Sequence, residues 1–320
     1  MFFEGDQAAG KNNDEKSDKR SANVLITGLS ERYESVDHLQ QELAREKYLS
    51  DRNTAVALYL ALKLSRPLLV EGPAGVGKTD LARALADSAG TEMIRLQCYE
   101  GLDESRALYE WNYHKQILYI QTTGVDWKQA RGEIFSEEFL LPRPLLRALT
   151  APRPVVLLVD ELDKSDEAFE SYLLEFLSDY QVSIPELGTI RASFIPAVIL
   201  TSNNTREFGD ALRRRCIHAY IDFPDVEREA RIISMHLPGI SRQLPQEAAS
   251  FLVKLRTSRL RKPPGISEAV DWVRALSGMG VETILAKEAD DTLPVLLKHR
   301  QDVVSAKSEL ERFRREARPS

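Results

Sequence analysis

The feature that most constrains this chain is a glycine-rich segment, residues 72–79, which reads Gly-Pro-Ala-Gly-Val-Gly-Lys-Thr. The apolar run Pro67-Leu68-Leu69-Val70 precedes it, and a helix-like stretch that begins at Asp80 follows it. Two glycines separated by four residues and followed by lysine and threonine are typical of a phosphate-binding loop between a strand and a helix. The backbone N–H groups of such a loop surround phosphate oxygens, and the helix N-terminus adds a positive dipole end. We therefore predict an α/β fold with a nucleotide site; the alternative is a glycine-rich turn that binds nothing.

Specific roles follow for the loop. The Lys78 ammonium is predicted to reach the β- and γ-phosphates of ATP, and the Thr79 hydroxyl is predicted to ligate Mg²⁺. The residues predicted to contact the nucleotide are Gly72, Pro73, Ala74, Gly75, Val76, Gly77, Lys78, Thr79 and Asp80.

A second motif, residues 155–161, places five apolar residues before Asp160 and Glu161. The run is typical of a strand buried in a parallel sheet, with its acids at the carboxyl edge where ligands bind. Asp160 is predicted to hold Mg²⁺, and Glu161 is predicted to orient and deprotonate the attacking water. A solvated acidic turn is the alternative. Because the acidic motif occurs together with the phosphate loop, hydrolysis is the better interpretation.

Two further motifs follow along the chain. The apolar strand that starts at Ala197 ends in Ser202-Asn203-Asn204, and Asn203 is predicted to position the water; for Asn204 a simple turn is an equal alternative. Three arginines, residues 213–215, come next. A guanidinium at the γ-phosphate accelerates phosphoryl transfer roughly 10³- to 10⁵-fold. Arg215 is the favoured arginine finger, supplied to a neighbouring subunit, Arg214 is the reserve, and a solvated role is favoured for Arg213.

Taken in order, these four elements resemble the AAA+ ATPases, and the intervening segments resemble the MoxR family of that group. Residues 94–121 look like the second strand and the family's insertion in the second helix, which Gly132-Glu133-Ile134-Phe135 then resumes. Asp163-Lys164-Ser165 resembles the family's continuation after the acids, and residues 181–190 resemble its hairpin before the Asn203 strand. The branch that the sequence most resembles is the one associated with carbon monoxide dehydrogenase and related molybdenum hydroxylases.

The resemblance implies an ATPase that converts ATP to ADP with Mg²⁺ in a ring, expected to be a homohexamer. It implies a chaperone-like function, the remodelling of a client metalloenzyme during maturation of its metal centre, together with a partner that contains a von Willebrand factor A domain. It also implies an arginine on the lid that senses the γ-phosphate. The matching stretch here is Gly265-Ile266-Ser267-Glu268-Ala269, so that arginine is missing, and Arg261, Lys262 or Arg274 are the candidate substitutes.

The domain organisation predicted from these patterns has three parts. Residues 4–22 are almost wholly polar, so the N-terminal arm, residues 1–22, is expected to be disordered. Residues 23–224 form the AAA+ core, a parallel sheet flanked by helices, with insertions in the second helix and before the Asn203 strand. Residues 225–320 form a small all-α lid and C-terminal helix, because only helical patterns follow Pro224. The ranges predicted to be helical are 35–48, 52–65, 225–237, 244–257, 267–278 and about 280–316.

Composition narrows the possible partners. The net charge of −6 and pI near 5.6 argue against a nonspecific grip on nucleic acid. The basic stretch 256–262 is interpreted as a solvated helix end. No segment approaches the roughly 18 to 20 apolar residues that span a bilayer, so a soluble protein is expected. The two widely separated cysteines fit a reducing cytosol, and the expected location is cytoplasmic. Cys98 and Cys216 lack disulfide, metal or redox spacing, and the five histidines are isolated.

The insertion is also rich in aromatic residues. They are Tyr99, Tyr109, Trp111, Tyr113 and Tyr119. Packing within a hairpin is the favoured interpretation, and contact with a ring pore or a client is the sharper alternative.

Two rival functions remain: a DNA-associated motor or loader that shares the whole ATP site, and a nucleotide-gated scaffold with slow turnover.

Overall fold

The computed structural model describes residues 28–123 and 132–317. The predicted disordered arm, residues 1–22, lies outside the described residues, and so does part of the insertion, residues 124–131. The strands are β1 (Leu68–Glu71), β2 (Met93–Gln97), β3 (Tyr109–Trp111), β4 (Leu140–Pro142), β5 (Val156–Asp160), β6 (Gln181–Ile184), β7 (Gly188–Arg191), β8 (Ala197–Ser202) and β9 (Ile217–Tyr220).

The helices of the first two-thirds of the chain alternate with these strands. They are α1 (Val36–Arg45), α2 (Arg52–Lys63), α3 (Lys78–Ala89), α4 (Glu104–Ala107), α5 (Tyr113–Thr123), α6 (Pro144–Leu149), α7 (Glu167–Asp179) and α8 (Asp210–Arg215). The later helices follow one another without strands. They are α9 (Val226–His236), α10 (Gln243–Thr257), α11 (Ile266–Gly278), α12 (Ala289–Leu296) and α13 (Arg300–Glu316).

The central sheet has five strands in the order β2-β5-β8-β1-β9, and every pairing in it is parallel. All residues of β5 are buried, as its apolar sequence predicts. One face of the sheet packs against α6 and α7 through side chains such as Leu146 and Phe176. The other face packs against α1, α2 and α3 through side chains such as Leu58 and Leu85. The predicted α/β fold is therefore confirmed.

Aspartates start several of these helices. Asp51 accepts a hydrogen bond from the Thr54 N–H at 2.8 Å, and Asp166 and Asp225 cap α7 and α9 in the same way. Each cap satisfies a donor that the first helical turn leaves free, and is worth about 1 kcal/mol. The chain turns sharply into a helix at these aspartates.

Two antiparallel strand pairs lie outside the central sheet. β3 pairs with β4 in the insertion, and β6 pairs with β7 where a hairpin was predicted over residues 181–190. Of the insertion's aromatic residues, Trp111 is buried and packs edge-to-face on Tyr109, whereas Tyr113 is 59% exposed. The favoured packing interpretation thus describes only part of this cluster.

The helical C-terminal region has its own core, with Trp272 and Phe251 at its centre. The single helix expected over residues 280–316 is wrong. Gly280, with φ of 73°, follows the end of α11. The segment after it is held by α10, because Glu247 accepts from the Thr283 hydroxyl at 2.6 Å and from the Ile284 N–H at 3.0 Å. A carboxylate that satisfies these groups favours a loop over a continued helix.

The two cysteines, Cys98 and Cys216, are buried and free, and burial raises the pKa of each thiol to about 12. Within residues 28–123 and 132–317, no helix is long and apolar enough to cross a membrane. The same ranges contain no group of three or more potential metal ligands among His, Cys, Asp and Glu.

Candidate nucleotide site

The strand order brings the three predicted motifs together. β8 lies between β1 and β5, so the segments that follow these strands meet at one edge of the sheet. Lys78 and Thr79 follow β1, Asp160 ends β5 and Glu161 follows it, and Asn203 follows β8. Parallel strands present their carboxyl ends at the same edge, which is where ligands bind in open α/β sheets.

The phosphate loop requires glycine where it approaches other backbone. Gly72 has φ of 153°, and a Cβ there would lie 2.0 Å from the Ile221 carbonyl oxygen. Gly75 has φ of 83°, and a Cβ there would lie 2.8 Å from the Cα of Gly265. The loop is therefore wedged between the end of β9 and the start of α11, and side chains are excluded at both contacts.

Lys78 is held inside this loop. Its Nζ donates to the carbonyl oxygens of Gly72 and Pro73, each at 2.7 Å, and to Oδ1 of Asn203 at 2.9 Å. Burial lowers the pKa of Lys78, and the nearby Asp163, Asp160 and Glu161 charges oppose this. The hydrogen-bond acceptors of this buried ammonium are all neutral. An anionic ligand such as a phosphate would therefore give it a negatively charged partner.

Asp160 is the best-connected acid of the site. Its carboxylate accepts from the Thr79 hydroxyl at 3.1 Å and the Thr201 hydroxyl at 2.5 Å, and it forms an ion pair with Arg95 at 2.5 Å. The side chain is 4% exposed. A hydroxyl and a carboxylate are oxygen ligands of the kind that Mg²⁺ prefers, so these residues fit the ion.

Glu161 has an unusual backbone. Its φ of 55° lies in the left-handed region, and its N–H donates to the Thr201 hydroxyl at 2.9 Å. Its carboxylate accepts from Gln97 Nε2 at 2.7 Å and from Lys164 Nζ at 2.6 Å. Positive φ in a non-glycine residue costs roughly 1–2 kcal/mol, which the surrounding contacts offset. The predicted base is therefore turned toward two partners of its own chain.

Asn203 is fixed through its backbone by Asp163. The Asp163 carboxylate accepts from the Asn203 N–H at 3.1 Å and from the Thr205 hydroxyl at 2.5 Å. Burial acts to raise the pKa of Asp163, but these hydrogen bonds outweigh it and hold the pKa below its ordinary value. The Asn203 amide consequently points at Lys78.

The three arginines of α8 have different surroundings. Arg213 pairs with Glu71 at 3.1 Å, Arg214 is exposed, and Arg215 donates to the Ser178 hydroxyl at 2.8 Å and the Ala211 carbonyl at 3.0 Å. The solvated role favoured for Arg213 is therefore incomplete, because Arg213 has a specific partner, Glu71, next to the phosphate loop. Arg66 donates to the carbonyls of both Arg214 and Arg215, the latter at 2.9 Å.

A cavity of about 330 Å³ opens beside the loop. It lies between α3, the segment before α2, and the lid helices α9 and α11; Tyr48, Gly77 and Asp80 are among its lining residues. Burial raises the pKa of Tyr48. The volume and mixed lining fit the base and ribose of a nucleotide whose phosphates lie on the loop.

The lid contacts the loop without the expected arginine. Ala269, at the corresponding position, is fully buried, and the Ile266 N–H donates to the Gly75 carbonyl at 2.8 Å. Of the candidate substitutes, Arg274 lines the cavity and pairs with Asp271 at 2.6 Å. The backbone N–H groups of Arg261 and Lys262 donate instead to Asp302 of α13.

The solvated helix end expected at residues 256–262 is wrong for Arg256. Its guanidinium donates to both carboxylate oxygens of Glu229, at 2.7 and 2.6 Å, and lies 4.2 Å from the centroid of the Phe223 ring. It also donates to the Pro264 carbonyl at 3.0 Å. The Arg256 side chain is 7% exposed, because it lies between Glu229 of α9, Phe223 before the lid and Pro264 before α11.

Sequence reasoning missed four residues that hold the site: Arg95, Gln97, Thr201 and Arg66. Arg95 and Gln97 were detectable in principle, because alternate polar residues on an otherwise apolar strand share one face. Thr201 and Arg66 gave no comparable signal, since a threonine in a strand and an arginine after a helix are common.

A sheet of this order with a glycine-rich loop after β1 and acids after β5 defines a P-loop nucleoside triphosphatase fold. Residues 68–224 match the family described as "ATPase family associated with various cellular activities (AAA)". The chain therefore contains an AAA ATPase domain, binds nucleotide, and is an ATPase.

Solved structures with a similar fold include several of RuvB from Thermotoga maritima. One point mutant of that protein is 20% identical, with 82% of this chain and 72% of that chain covered and a TM-score of 0.47. A second point mutant is 18% identical, with 85% and 73% covered and a TM-score of 0.45. The structure titled "RuvB Holliday junction branch migration motor" is 18% identical, with 83% and 72% covered and a TM-score of 0.43.

Proposed function

We propose that this ATPase assembles into a ring and uses hydrolysis to remodel a client protein. The residues assigned to hydrolysis are the five that converge at the sheet edge. Lys78 binds the phosphates, Thr79 and Asp160 hold Mg²⁺, Glu161 takes the proton of the attacking water, and Asn203 orients that water. When bound, Mg²⁺ neutralises charge on the phosphates.

The contacts of Glu161 and Asn203 specify what ATP must change. Asn203 Oδ1 accepts from Lys78, so a phosphate that takes over Lys78 frees the amide to bind water. Glu161 Oε2 accepts from both Gln97 and Lys164. These two bonds fix the direction of the carboxylate, so turning it toward the attacking water requires at least one of them to be released.

Arg215 is proposed to act on the neighbouring subunit. Its guanidinium bonds to Ser178 and Ala211, neither of which belongs to the nucleotide site of its own chain. Both are exposed contacts, which are readily exchanged for a phosphate. Arg214 remains the reserve candidate. It is the more exposed of the two, so it could also reach a neighbouring subunit.

The observation that carries the choice of a protein client is the exposed apolar face of α5. Tyr113, Ile117 and Leu118 are 59%, 55% and 60% exposed, at helical spacing in the insertion. Exposed apolar side chains of this density mark protein contacts more often than nucleic-acid contacts, which require basic side chains. The resemblance to the MoxR family supplies the finer proposal of a metalloenzyme client, such as a molybdenum hydroxylase, and a partner with a von Willebrand factor A domain.

Steady-state ATPase activity measured against protein concentration, beside light scattering for mass, tests the ring. We expect activity per subunit to rise as the ring forms and to vanish in Arg215→Ala, although the ring persists. Activity that is independent of assembly would contradict an arginine supplied by the neighbour.

Stimulation of that activity distinguishes the possible clients. A permanently unfolded protein is expected to raise turnover, and an Ile117→Ser/Leu118→Ser variant is expected to lose the increase but keep basal turnover. The matched control is Val304→Ser, because Val304 is also 60% exposed but lies on α13. Stimulation by duplex DNA at physiological salt would instead favour the DNA motor, and no turnover under any condition would favour the scaffold.

A further inference from the structure

The arginine helix α8 is attached to α7 at its start by one buried acid, Glu170. Its Oε1 accepts from the Gly209 N–H at 2.8 Å, and Gly209 is the residue that precedes α8. Glu170 is 7% exposed. A Cβ on Gly209 would lie 3.0 Å from that oxygen, so a larger residue would disturb the contact. The position of α8 therefore depends on a charged group inside the core.

The same carboxylate is tied to the catalytic edge through Arg206. Oε2 of Glu170 accepts from Arg206 Nη1 at 2.9 Å, and Arg206 Nε donates to the Ser165 carbonyl at 3.1 Å. Ser165 ends the short turn that follows Glu161, and Arg206 lies three residues after Asn203. The segment that follows Glu161 and the segment that follows Asn203 thus both contact the Glu170–Arg206 ion pair.

The other end of α8 is held by separate contacts. Arg66 donates to the carbonyls of Arg214 and Arg215, and the Arg215 side chain donates to Ser178 of α7. With its last turn held by the Arg66 contacts, a movement of the Glu170–Arg206 pair would change the tilt of this six-residue helix. Burial of an ion pair carries a desolvation cost, so the contribution of this pair lies in the position it fixes rather than in stability.

We propose that Glu170 is a positioning residue which, with Arg206, sets the position of α8 according to the state of its own subunit's nucleotide site. The arginine that α8 offers to the next subunit is thereby linked to the site of the first. This inference rests on the proposed function of Arg215 in the neighbouring site.

Mixed rings test this directly. The acceptor subunit carries Arg215→Ala, so its site is intact but it offers no arginine. The donor carries Glu161→Gln, so it offers an arginine but does not hydrolyse ATP. Each is expected to be inactive alone, and the mixture is expected to hydrolyse ATP at acceptor sites. Because the donor's site is already inactive, any effect of a further donor substitution on turnover must act through the neighbour.

We expect a donor with Glu161→Gln and Glu170→Gln to restore roughly tenfold less activity, since hydrogen bonds to charged groups contribute about that factor or more. The matched donor carries Glu161→Gln and Glu175→Gln, because Glu175 is an exposed acid of the same helix, and it should restore activity in full. Ring mass and nucleotide affinity of the donors should be equal. A donor with Glu161→Gln and Gly209→Ala gives a second test that leaves both members of the ion pair in the chain.

The outcomes separate the two proposals. If the Glu170 and Glu175 donors restore activity equally, and the Gly209→Ala donor does too, the role of Glu170 is overturned while the shared site stands. If Arg215→Ala is active alone, or if no mixture recovers activity, the shared site itself fails and this inference fails with it.

Discussion

The two sides of the phosphate loop are held by different chemistry. On the core side, side chains fix one another: Lys78 bonds to Asn203, and Thr79 bonds to Asp160. On the lid side, the loop meets α11 through backbone, with the Ile266 N–H donating to the Gly75 carbonyl. The core therefore carries the groups for chemistry. The lid contact depends on shape instead, because Ala269 stands where the resemblance predicts an arginine that would face the phosphates.

The largest effect should come from the core side. Glu161→Gln removes the predicted base but keeps an acceptor for Gln97, so hydrolysis should fall about 100-fold or more while nucleotide still binds. Phosphate release and titration with a fluorescent ADP analogue measure the two properties. Glu167→Gln, on an exposed acid of α7, is the control. Unchanged turnover in Glu161→Gln would show that the chemistry does not depend on this acid of the core side.

Within the lid, the buried ion pair should dominate stability. Glu229→Gln leaves the Arg256 guanidinium buried without a full partner, so we expect a loss of about 3 kcal/mol in the free energy of unfolding. Urea denaturation followed by tryptophan fluorescence measures it, with Trp272 inside the lid core. The exposed Glu227→Gln serves as control. Equal unfolding midpoints for both variants would show that the pair does not hold the lid.

The backbone contact between loop and lid is tested by one methyl group. In Gly265→Ala, the new Cβ would lie 2.8 Å from the Gly75 Cα and 2.9 Å from its carbonyl oxygen, so the lid must shift. Overpacking of this kind costs about 1–3 kcal/mol, and we expect roughly tenfold weaker nucleotide binding. In Gly278→Ala, at the far end of α11, the new Cβ would meet no described atom within 4 Å, and binding should be normal. Equal affinities would mean that the lid does not shape the loop.

This contrast also explains what the sequence could predict. The convergence of residues 72–79 with Asp160 and Glu161 at one sheet edge was predictable, because phosphate chemistry demands particular residue types at fixed spacing. The lid contacts were not, because the Gly75–Gly265 approach and the Arg256–Glu229 pair join residues far apart in sequence. Arg256 looked like part of an exposed basic stretch, and only the packing of α9 against α10 places Glu229 beside it.

Acid should weaken the core side through Asp163. Its folded pKa lies below the ordinary value of 3.8, so the unfolded chain binds the proton more readily. Stability from this group is present above about pH 4 and is lost as pH falls through the folded pKa. Asp163→Asn should unfold about 1 kcal/mol more easily at neutral pH, and its difference from the parent should narrow below about pH 4. Urea midpoints across pH check this, with exposed Asp179→Asn as control; a constant difference would contradict it.

The smallest effect should come from Arg274, the one candidate substitute for the lid arginine that lines the cavity. It is 58% exposed and paired with Asp271, so salt and solvent screen its charge. We expect Arg274→Ala to weaken nucleotide binding only about threefold, and less at high salt. Lys262→Ala is the control, because the Lys262 backbone is held by Asp302 of α13. A loss of about a hundredfold in Arg274→Ala would instead give the lid a true phosphate-binding cation. The two sides of the loop would then share the electrostatic work, because only a desolvated guanidinium in contact with phosphate has an effect of that size.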